Sequence, residues 1–185
     1  MKYTAELTLR DGQKLLLRSL SPKDARETLH VLRKTAGETG FMMRYEDEWT
    51  ITEQQEREAL AKMEHAPHAL MLGAFAGGRL VGIAQFKPVH PGDRARHRAG
   101  MGVSVLRSHW GLGVGTALMQ AAIAAAKTTA LEYLELSVAG KNDRAQAMYD
   151  RLGFIRYGRQ PRAMKYRDGH YDDLILMMLE LHGKA

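Results

Sequence analysis

A glycine-rich turn between a strand and a helix is the feature that most limits how this chain can fold. Alternating apolar residues predict a strand over Arg98–Val105, and an alanine-rich stretch predicts a helix over Val114–Lys127. A second strand, Leu131–Val138, follows that helix, so the two strands must lie parallel with a right-handed crossover. The turn that joins the first strand to the helix is Trp110-Gly111-Leu112-Gly113-Val114-Gly115-Thr116.

The remaining elements surround this unit with antiparallel strands and helices. Two hairpins are predicted, one turning at Asp11-Gly12 and one at Gly77-Gly78. Helices are predicted from Ser21-Pro22, from Thr52 with Gln55 in a capping box, and over Asn142–Leu152 with Gly153 as its cap. The remaining strands are predicted at Glu6–Arg10, Lys14–Ser19, Ala69–Ala76, Arg79–Phe86, Phe154–Tyr157 and Asp173–Leu181. Together the elements predict an α/β (α+β) fold, in which a mixed and largely antiparallel central sheet is flanked by helices. We expect this fold to form a single domain over residues 1–185.

Composition excludes several classes of protein. The chain has no cysteine, which removes disulfides, thiolate catalysis and cysteine-based zinc sites. The net charge of +6 is dispersed, and aromatic residues make up only 7% without alternating with basic ones, so no nucleic-acid surface is predicted. No apolar run approaches the length of a membrane helix, and no targeting segment is evident at Met1–Arg18. We therefore expect a cytoplasmic protein that is not bound to a membrane.

The glycine-rich turn is suited to binding an anion. Glycines let several backbone N–H groups point at one spot, and the helix behind them adds its free N–H groups and the positive end of its dipole. A nucleotide P-loop ends in Gly-Lys-Ser/Thr, whereas this turn ends in Val114-Gly115-Thr116 and has no lysine. In a dinucleotide fingerprint the third glycine would come one residue later than Gly115. A diphosphate loop for coenzyme A remains, beside the alternative of a turn that serves packing alone.

A second motif selects among these alternatives, because Asn142, Ala145, Tyr149, Gly153 and Phe154 follow the turn at the spacing N-x-x-A-x-x-x-Y-x-x-x-G-F. Together the two motifs resemble the GNAT superfamily of N-acetyltransferases, in which a Q/R-x-x-G-x-G/A turn opens the helix after the fourth strand. The resemblance covers residues 69–181 well, and its closing segment, residues 162–177, is similar to a branch that acetylates amino acids and other small molecules. One residue departs from the pattern, since Trp110 stands where the family has Gln or Arg.

The resemblance implies the GNAT acyl-CoA N-acyltransferase fold, acetyl-CoA as co-substrate, a primary amine as acceptor and direct transfer in a ternary complex. It implies that a bulge in the fourth strand frees N–H groups near Val103 to Leu106, and that Tyr149 is the general acid that protonates the departing thiolate. Without the motif, Tyr149 would read as a packing residue and Asn142 as a helix cap. The implied cofactor-binding residues are Val103, Ser104, Val105, Trp110, Gly111, Leu112, Gly113, Val114, Gly115, Thr116, Asn142 and Tyr149.

The general base and the acceptor are less constrained. The candidates for the base are Glu38 and His97 first, then Glu46, Asp47 and Glu135. No metal site is predicted, because Pro67 interrupts the only close histidine pair, His65 and His68. A small amine, a protein N-terminus or lysine, and a sensor that binds acyl-CoA without turnover all remain open as functions. A homodimer is also possible, since dimers are common in the family.

Overall fold

Eight strands form one sheet in the computed structural model, which describes residues 1–182; the last three residues of the predicted domain lie outside the described part. The strands are ordered β1-β2-β3-β4-β5-β6-β8-β7, and every neighbouring pair is antiparallel except β5 and β6. The predicted mixed, largely antiparallel fold is therefore confirmed. The elements are β1 Thr4–Thr8, β2 Lys14–Ser19, α1 Ala25–Glu38, α2 Glu53–His65, β3 Leu70–Ala76, β4 Arg79–Pro88, β5 Arg98–Val105, α3 Val114–Ala126, β6 Tyr133–Ala139, α4 Asp143–Arg151, β7 Ile155–Lys165 and β8 Tyr171–Glu180.

The helices cover opposite faces of the sheet. A Cβ placed at Gly82 of β4 would lie 3.1 Å from Leu118 of α3, so α3 packs on the face that holds Gly82 and its partner Val105. Ser104, whose side chain points to the other face, contacts Met42 in the connection between α1 and α2. The predicted capping box of α2 is present, with Thr52 accepting from the Gln55 N–H. The helix that carries the glycine turn and the connection after α1 thus reach the end of β5 from opposite sides.

Two strand predictions were wrong in extent. β1 ends at Thr8, and a loop from Leu9 to Gln13 replaces the predicted tight turn, because only Gly12 takes a positive φ. β7 runs to Lys165, well beyond the predicted end at Tyr157, because it pairs with β8 through two register shifts. Three arginines and a lysine of this segment therefore lie on an edge strand: Arg156, Arg159, Arg162 and Lys165.

The parallel pair of β5 and β6 separates soon after it begins. The two strands pair only from Arg98 to Gly100 on β5, opposite Tyr133 to Glu135 on β6. Beyond that point β5 continues to Val105 beside β4 alone, while β6 continues beside β8. The sheet therefore opens between β5 and β6, and the open end lies next to the glycine-rich turn.

Candidate active site

The glycine-rich turn adopts a conformation that needs its glycines. Gly111 and Gly113 have φ angles of 82° and 96°, in the left-handed region that favours glycine. A Cβ at either position would meet no atom within 4 Å, so the backbone conformation and not crowding requires the residue. The first intrahelical bond of α3 runs from the Ala117 N–H to the Gly113 carbonyl at 2.9 Å. The three preceding N–H groups, of Val114, Gly115 and Thr116, are the free donors that make this helix start an anion site.

Helix α4 lies against α3 at the third glycine of the turn. A Cβ at Gly115 would lie 3.5 Å from the sulfur of Met148 and 3.7 Å from a methyl carbon of Val105. Met148 precedes Tyr149 on α4, and Val105 is the last residue of β5. The start of α3, the middle of α4 and the end of β5 therefore meet at one corner of the molecule.

The open edge of β5 carries the strand donors of this corner. The Leu106 N–H donates to the Val81 carbonyl of β4 at 2.9 Å, whereas the Val105 carbonyl accepts from the Trp110 side chain on the other side. Because backbone groups alternate along a strand, the N–H groups of Val103 and Val105 point toward the opening. Leu106 closes the stretch implied by the family resemblance, but its N–H is used within the sheet.

Trp110 contacts the end of β5. Its indole Nε1–H donates to the Val105 carbonyl at 2.7 Å, and its ring lies beneath the guanidinium of Arg144, whose central carbon is 3.6 Å from the ring centroid. The indole therefore links the turn to the end of β5 through its hydrogen bond and to α4 through its contact with Arg144. Sequence reasoning missed Arg144, because nothing in the local pattern indicates which side chain will cover Trp110.

Tyr149 lies in the apolar interior at this corner. Its side chain is buried, with 6% of the residue exposed, and its ring packs against Phe154 with 5.7 Å between centroids. Burial raises the pKa of the Tyr149 phenol to about 12, so the hydroxyl stays protonated at neutral pH. Asn142 caps α4, its Oδ1 accepting from the Ala145 N–H at 3.2 Å. The cap occupies the side-chain oxygen of Asn142 and leaves its amide N–H groups for another partner.

The base candidates do not lie together. Glu38 ends α1, and its carboxylate accepts from the Arg107 N–H at 2.7 Å, immediately after β5. Asp47 is bound by the Arg167 side chain, which lowers the pKa of that carboxyl. Glu46 packs over Gly37, where a Cβ would collide with its carboxylate.

Of the other two base candidates, His97 lies far from the end of β5 and Glu135 is already paired with an arginine. His97 precedes β5, seven residues from Ser104, which is roughly 20 Å along an extended strand. Glu135 of β6 forms a two-point ion pair with Arg98. Of the five candidates, the structure brings Glu38 to the end of β5, where the donors of Val103 and Val105 lie.

A clamp joins two distant segments on the face of β5 opposite α3, where Met42 contacts Ser104. We call it the strap: the β7–β8 turn, residues 166–170, bound to the α1–α2 connection, residues 39–52. The Tyr166 hydroxyl donates to the Gly40 carbonyl at 2.9 Å, and the Tyr45 hydroxyl accepts from the Arg167 N–H at 2.9 Å. Arg167 also binds both oxygens of Asp47 at 2.8 Å. Sequence reasoning missed the strap, because its partners lie more than a hundred residues apart in the chain.

Comparison with known families agrees with this geometry. The sequence profile of the Acetyltransferase (GNAT) family matches residues 37–154, which is more than half of the chain. The chain belongs to the GNAT acetyltransferase family. The match includes the glycine turn and Tyr149, and it begins near the end of α1. No curated protein sequence matches this GNAT chain significantly.

Solved structures are similar over nearly the whole GNAT chain. An acetyltransferase of the GNAT family from Streptococcus pneumoniae is 29% identical, with 90% of this chain and 99% of that chain covered and a TM-score of 0.87. A ribosomal-protein-alanine N-acetyltransferase from Brucella melitensis is 20% identical, with 89% and 98% covered and a TM-score of 0.79. A phosphinothricin acetyltransferase from Sinorhizobium meliloti, in complex with acetyl-CoA, is 15% identical, with 94% and 89% covered and a TM-score of 0.80. The last two likenesses show the shared fold.

Two other kinds of feature are absent from residues 1–182. There, no group of three or more histidine, aspartate or glutamate side chains could hold a metal ion. No helix of that same part is long and apolar enough to cross a membrane.

Proposed function

We propose that this GNAT protein is an N-acetyltransferase that moves the acetyl group of acetyl-CoA directly onto the primary amine of a small molecule. The observation that carries the proposal is the meeting of the glycine turn, the end of β5 and α4, the helix that carries Tyr149, at one corner. Each of these supplies a different part of the chemistry. The continuous sheet from β1 to β8 supports a single catalytic domain.

Acetyl-CoA would lie at this corner with each of its parts against a different group. The free N–H groups at the start of α3 would hold the pyrophosphate, with Gly111 and Gly113 shaping the turn. The amide-bearing arm of the cofactor would pair with the open edge at Val103 and Val105, as an added strand pairs with a sheet edge. The amide N–H groups of Asn142 would contact the same molecule. These roles are those that the family resemblance implies for the matching residues.

The transfer needs a donor for the oxyanion and an acid for the leaving group. The amine nitrogen attacks the carbonyl carbon of the thioester, the new C–N bond forms, and negative charge gathers on the carbonyl oxygen, where the strand N–H groups can stabilise it. The C–S bond then breaks, and the thiolate takes a proton from the Tyr149 hydroxyl. After the attack the nitrogen carries an extra proton, which passes through a base or water to the Tyr149 phenolate and regenerates the acid. Without cysteine, no thioester forms on the enzyme.

Glu38 is the base that the geometry favours. An alkylammonium has a pKa of about 10, so most acceptor molecules are protonated at pH 7 and must lose a proton before attack. Glu38 reaches the end of β5 from α1, while Asp47 and Glu135 are held by arginines. The hydrogen bond from the Arg107 N–H uses one Glu38 oxygen and leaves the other for the acceptor or a bridging water.

Replacing Glu38 with glutamine tests this role. Glutamine keeps an acceptor oxygen for the Arg107 N–H but cannot take a proton, so we expect kcat/KM for the amine to fall about 100-fold at pH 7. The loss should shrink as the pH approaches about 10, because the amine is then already neutral. Measurement of kcat/KM from pH 6 to 10 checks this, with Glu27→Gln, at the other end of α1, as the matched control. A loss that is equal at every pH would assign Glu38 a positioning role instead.

The strap supports a small acceptor over a protein substrate. A peptide needs an open groove, but the contacts of Tyr166 and Arg167 tie the α1–α2 connection across the acceptor side of the opening. Met42 of the same connection reaches Ser104 on β5, with 3.9 Å between its sulfur and the hydroxyl oxygen. The fold itself serves both acceptor classes, since the similar structures include a phosphinothricin acetyltransferase and a ribosomal-protein-alanine N-acetyltransferase.

A panel of acceptors tests the proposed function. Thiol release from acetyl-CoA would be followed with amino acids, polyamines, aminoglycosides and short peptides, and we expect turnover with one class of small amine. Turnover with peptides alone would support a protein acetyltransferase. Coenzyme A binding without turnover on any acceptor would support a sensor.

Loosening the strap should weaken acceptor binding without harming the cofactor site. In Arg167→Gln the bonds to Asp47 are lost, and we expect KM for the amine to rise about threefold to tenfold, because part of the ordering of the pocket must then occur on binding. The KM for acetyl-CoA should stay within about twofold. Arg156→Gln is the matched control, since Arg156 forms a similar exposed pair with Asp150. An unchanged amine KM in Arg167→Gln would contradict a role for the strap in closing the site.

A further inference from the structure

Arg144 lies where the glycine motif lacks a polar side chain. In this chain the first position of the motif is Trp110, whose only polar atom, Nε1, is bonded to the Val105 carbonyl at 2.7 Å. The indole therefore has no donor to offer a phosphate. The central carbon of the Arg144 guanidinium lies 3.6 Å from the centroid of that indole ring, so the guanidinium lies over the first residue of the turn.

Helix stability does not explain this arginine. Arg144 is in the first turn of α4, directly after the cap at Asn142 and Asp143, where the helix dipole disfavours a positive charge. Within residues 1–182, no carboxylate lies within 4.0 Å of its guanidinium. Arg144 is an exposed residue, and partial burial of its guanidinium lowers its pKa. The Arg144 guanidinium is thus held on the face of the Trp110 indole without a carboxylate partner.

Arg144 and Met148 are four residues apart on α4 and so share one face of that helix. Trp110 opens the turn that leads to the free N–H groups of α3, and Met148 holds α4 against Gly115 at the start of the same helix. The five donors of a guanidinium match the oxygens of a phosphate group in pairs. A cation stacked on a ring also loses little freedom when it forms such bonds, since its plane is already fixed.

We propose that Arg144 donates hydrogen bonds to the pyrophosphate of coenzyme A, with Trp110 as the platform that positions it. The pair takes over the contact made in the family by the Gln or Arg at the first motif position. This inference rests on the proposed function, because it assumes that the glycine turn holds coenzyme A.

Calorimetric titration of the full chain with coenzyme A tests the contact directly. Arg144→Met keeps side-chain length and helix propensity but removes the charge, and we expect its Kd for coenzyme A to rise tenfold to roughly 100-fold. Dephospho-coenzyme A, which has the pyrophosphate but lacks the 3′-phosphate, should show the same fold loss. Arg151→Met, at the other end of α4, is the matched control with the same change in net charge and should stay within about twofold.

Each outcome bears on the inference. A loss that disappears with dephospho-coenzyme A would move Arg144 to the 3′-phosphate and overturn the pyrophosphate assignment. An unchanged Kd for both ligands would overturn the inference altogether. Thermal unfolding separates binding from folding, because removing a cation from the first turn of a helix should leave the unfolding temperature of Arg144→Met equal or higher. If the wild-type protein itself did not bind coenzyme A, the proposed function would fail first.

The platform role of Trp110 has its own readout. In Trp110→Leu the guanidinium loses its support, so the same Kd loss should appear, and the double variant Trp110→Leu with Arg144→Met should bind no more weakly than the worse single variant. Additive losses would show that the two side chains act independently and would reject the platform. In a Trp49→Phe background, Trp110 is the only tryptophan, and its fluorescence should change on adding coenzyme A.

Discussion

Replacing Tyr149 with phenylalanine should lower kcat about 1000-fold at pH 7 while KM for acetyl-CoA stays within about twofold. Phenylalanine keeps the ring that packs against Phe154, so the corner where the helices meet should remain intact. Only the hydroxyl is lost, and with it the proton for a thiolate whose conjugate acid has a pKa of about 8.5. Steady-state kinetics of the two proteins, measured with the same amine, checks this result.

The pH dependence of the same pair of proteins adds a second check. Because burial raises the pKa of Tyr149 to about 12, the phenol is in its acid form at every pH below that value. The wild-type protein should therefore show no fall in kcat between pH 7 and 10 from loss of this proton, and the Tyr149→Phe profile should run parallel to it at a lower level. Tyr157→Phe, on the exposed part of β7, is the control. An unchanged kcat in Tyr149→Phe at all pH values would remove Tyr149 from the mechanism.

Features written in short stretches of sequence were predicted well. The bounds of β5 agree with the prediction at both ends, and the caps at Thr52 and Asn142 form as expected. These features depend on neighbours within one helical turn or on strict alternation along a strand. The glycine turn belongs to the same class, since the positive φ angles of Gly111 and Gly113 are a local property of the backbone.

Features that depend on tertiary contacts were not predicted. β7 extends through Arg162, which has a positive φ of 52°, because β8 offers it a partner across two register shifts. The strap joins Tyr45 to Arg167 only after the whole sheet has formed. The stack of Arg144 on Trp110 likewise needs α4 to lie beside α3. Side-chain pairs of this kind leave no periodic trace in the sequence, although the proposed acceptor site and the proposed phosphate contact both depend on them.

Replacing Gly113 of the glycine turn with aspartate should raise the Kd for coenzyme A about 1000-fold. Gly113 has a φ of 96°, which an aspartate adopts only with strain, so the free N–H groups behind it would lose their aim. The new carboxylate would also place a negative charge where the pyrophosphate binds. Hydrogen bonds weakened by the strained turn account for about 1.4 kcal/mol of this change, and repulsion between the carboxylate and the pyrophosphate accounts for roughly 2.7 kcal/mol.

Two further variants separate strain from charge in this result. Asparagine has nearly the same shape as aspartate and tolerates the left-handed region, so Gly113→Asn should lose only about tenfold in affinity, and the remaining loss in Gly113→Asp belongs to the charge. Gly12→Asp is the matched control, because Gly12 has a φ of 86°, has no atom near its Cβ position and lies in the β1–β2 loop away from the site. Its affinity for coenzyme A should equal that of the wild-type protein. Equal affinities in Gly113→Asp and Gly12→Asp would mean that the pyrophosphate does not bind at the start of α3. Acetyl-CoA, the acetyl donor in the proposed direct attack, would then have no binding site at this corner.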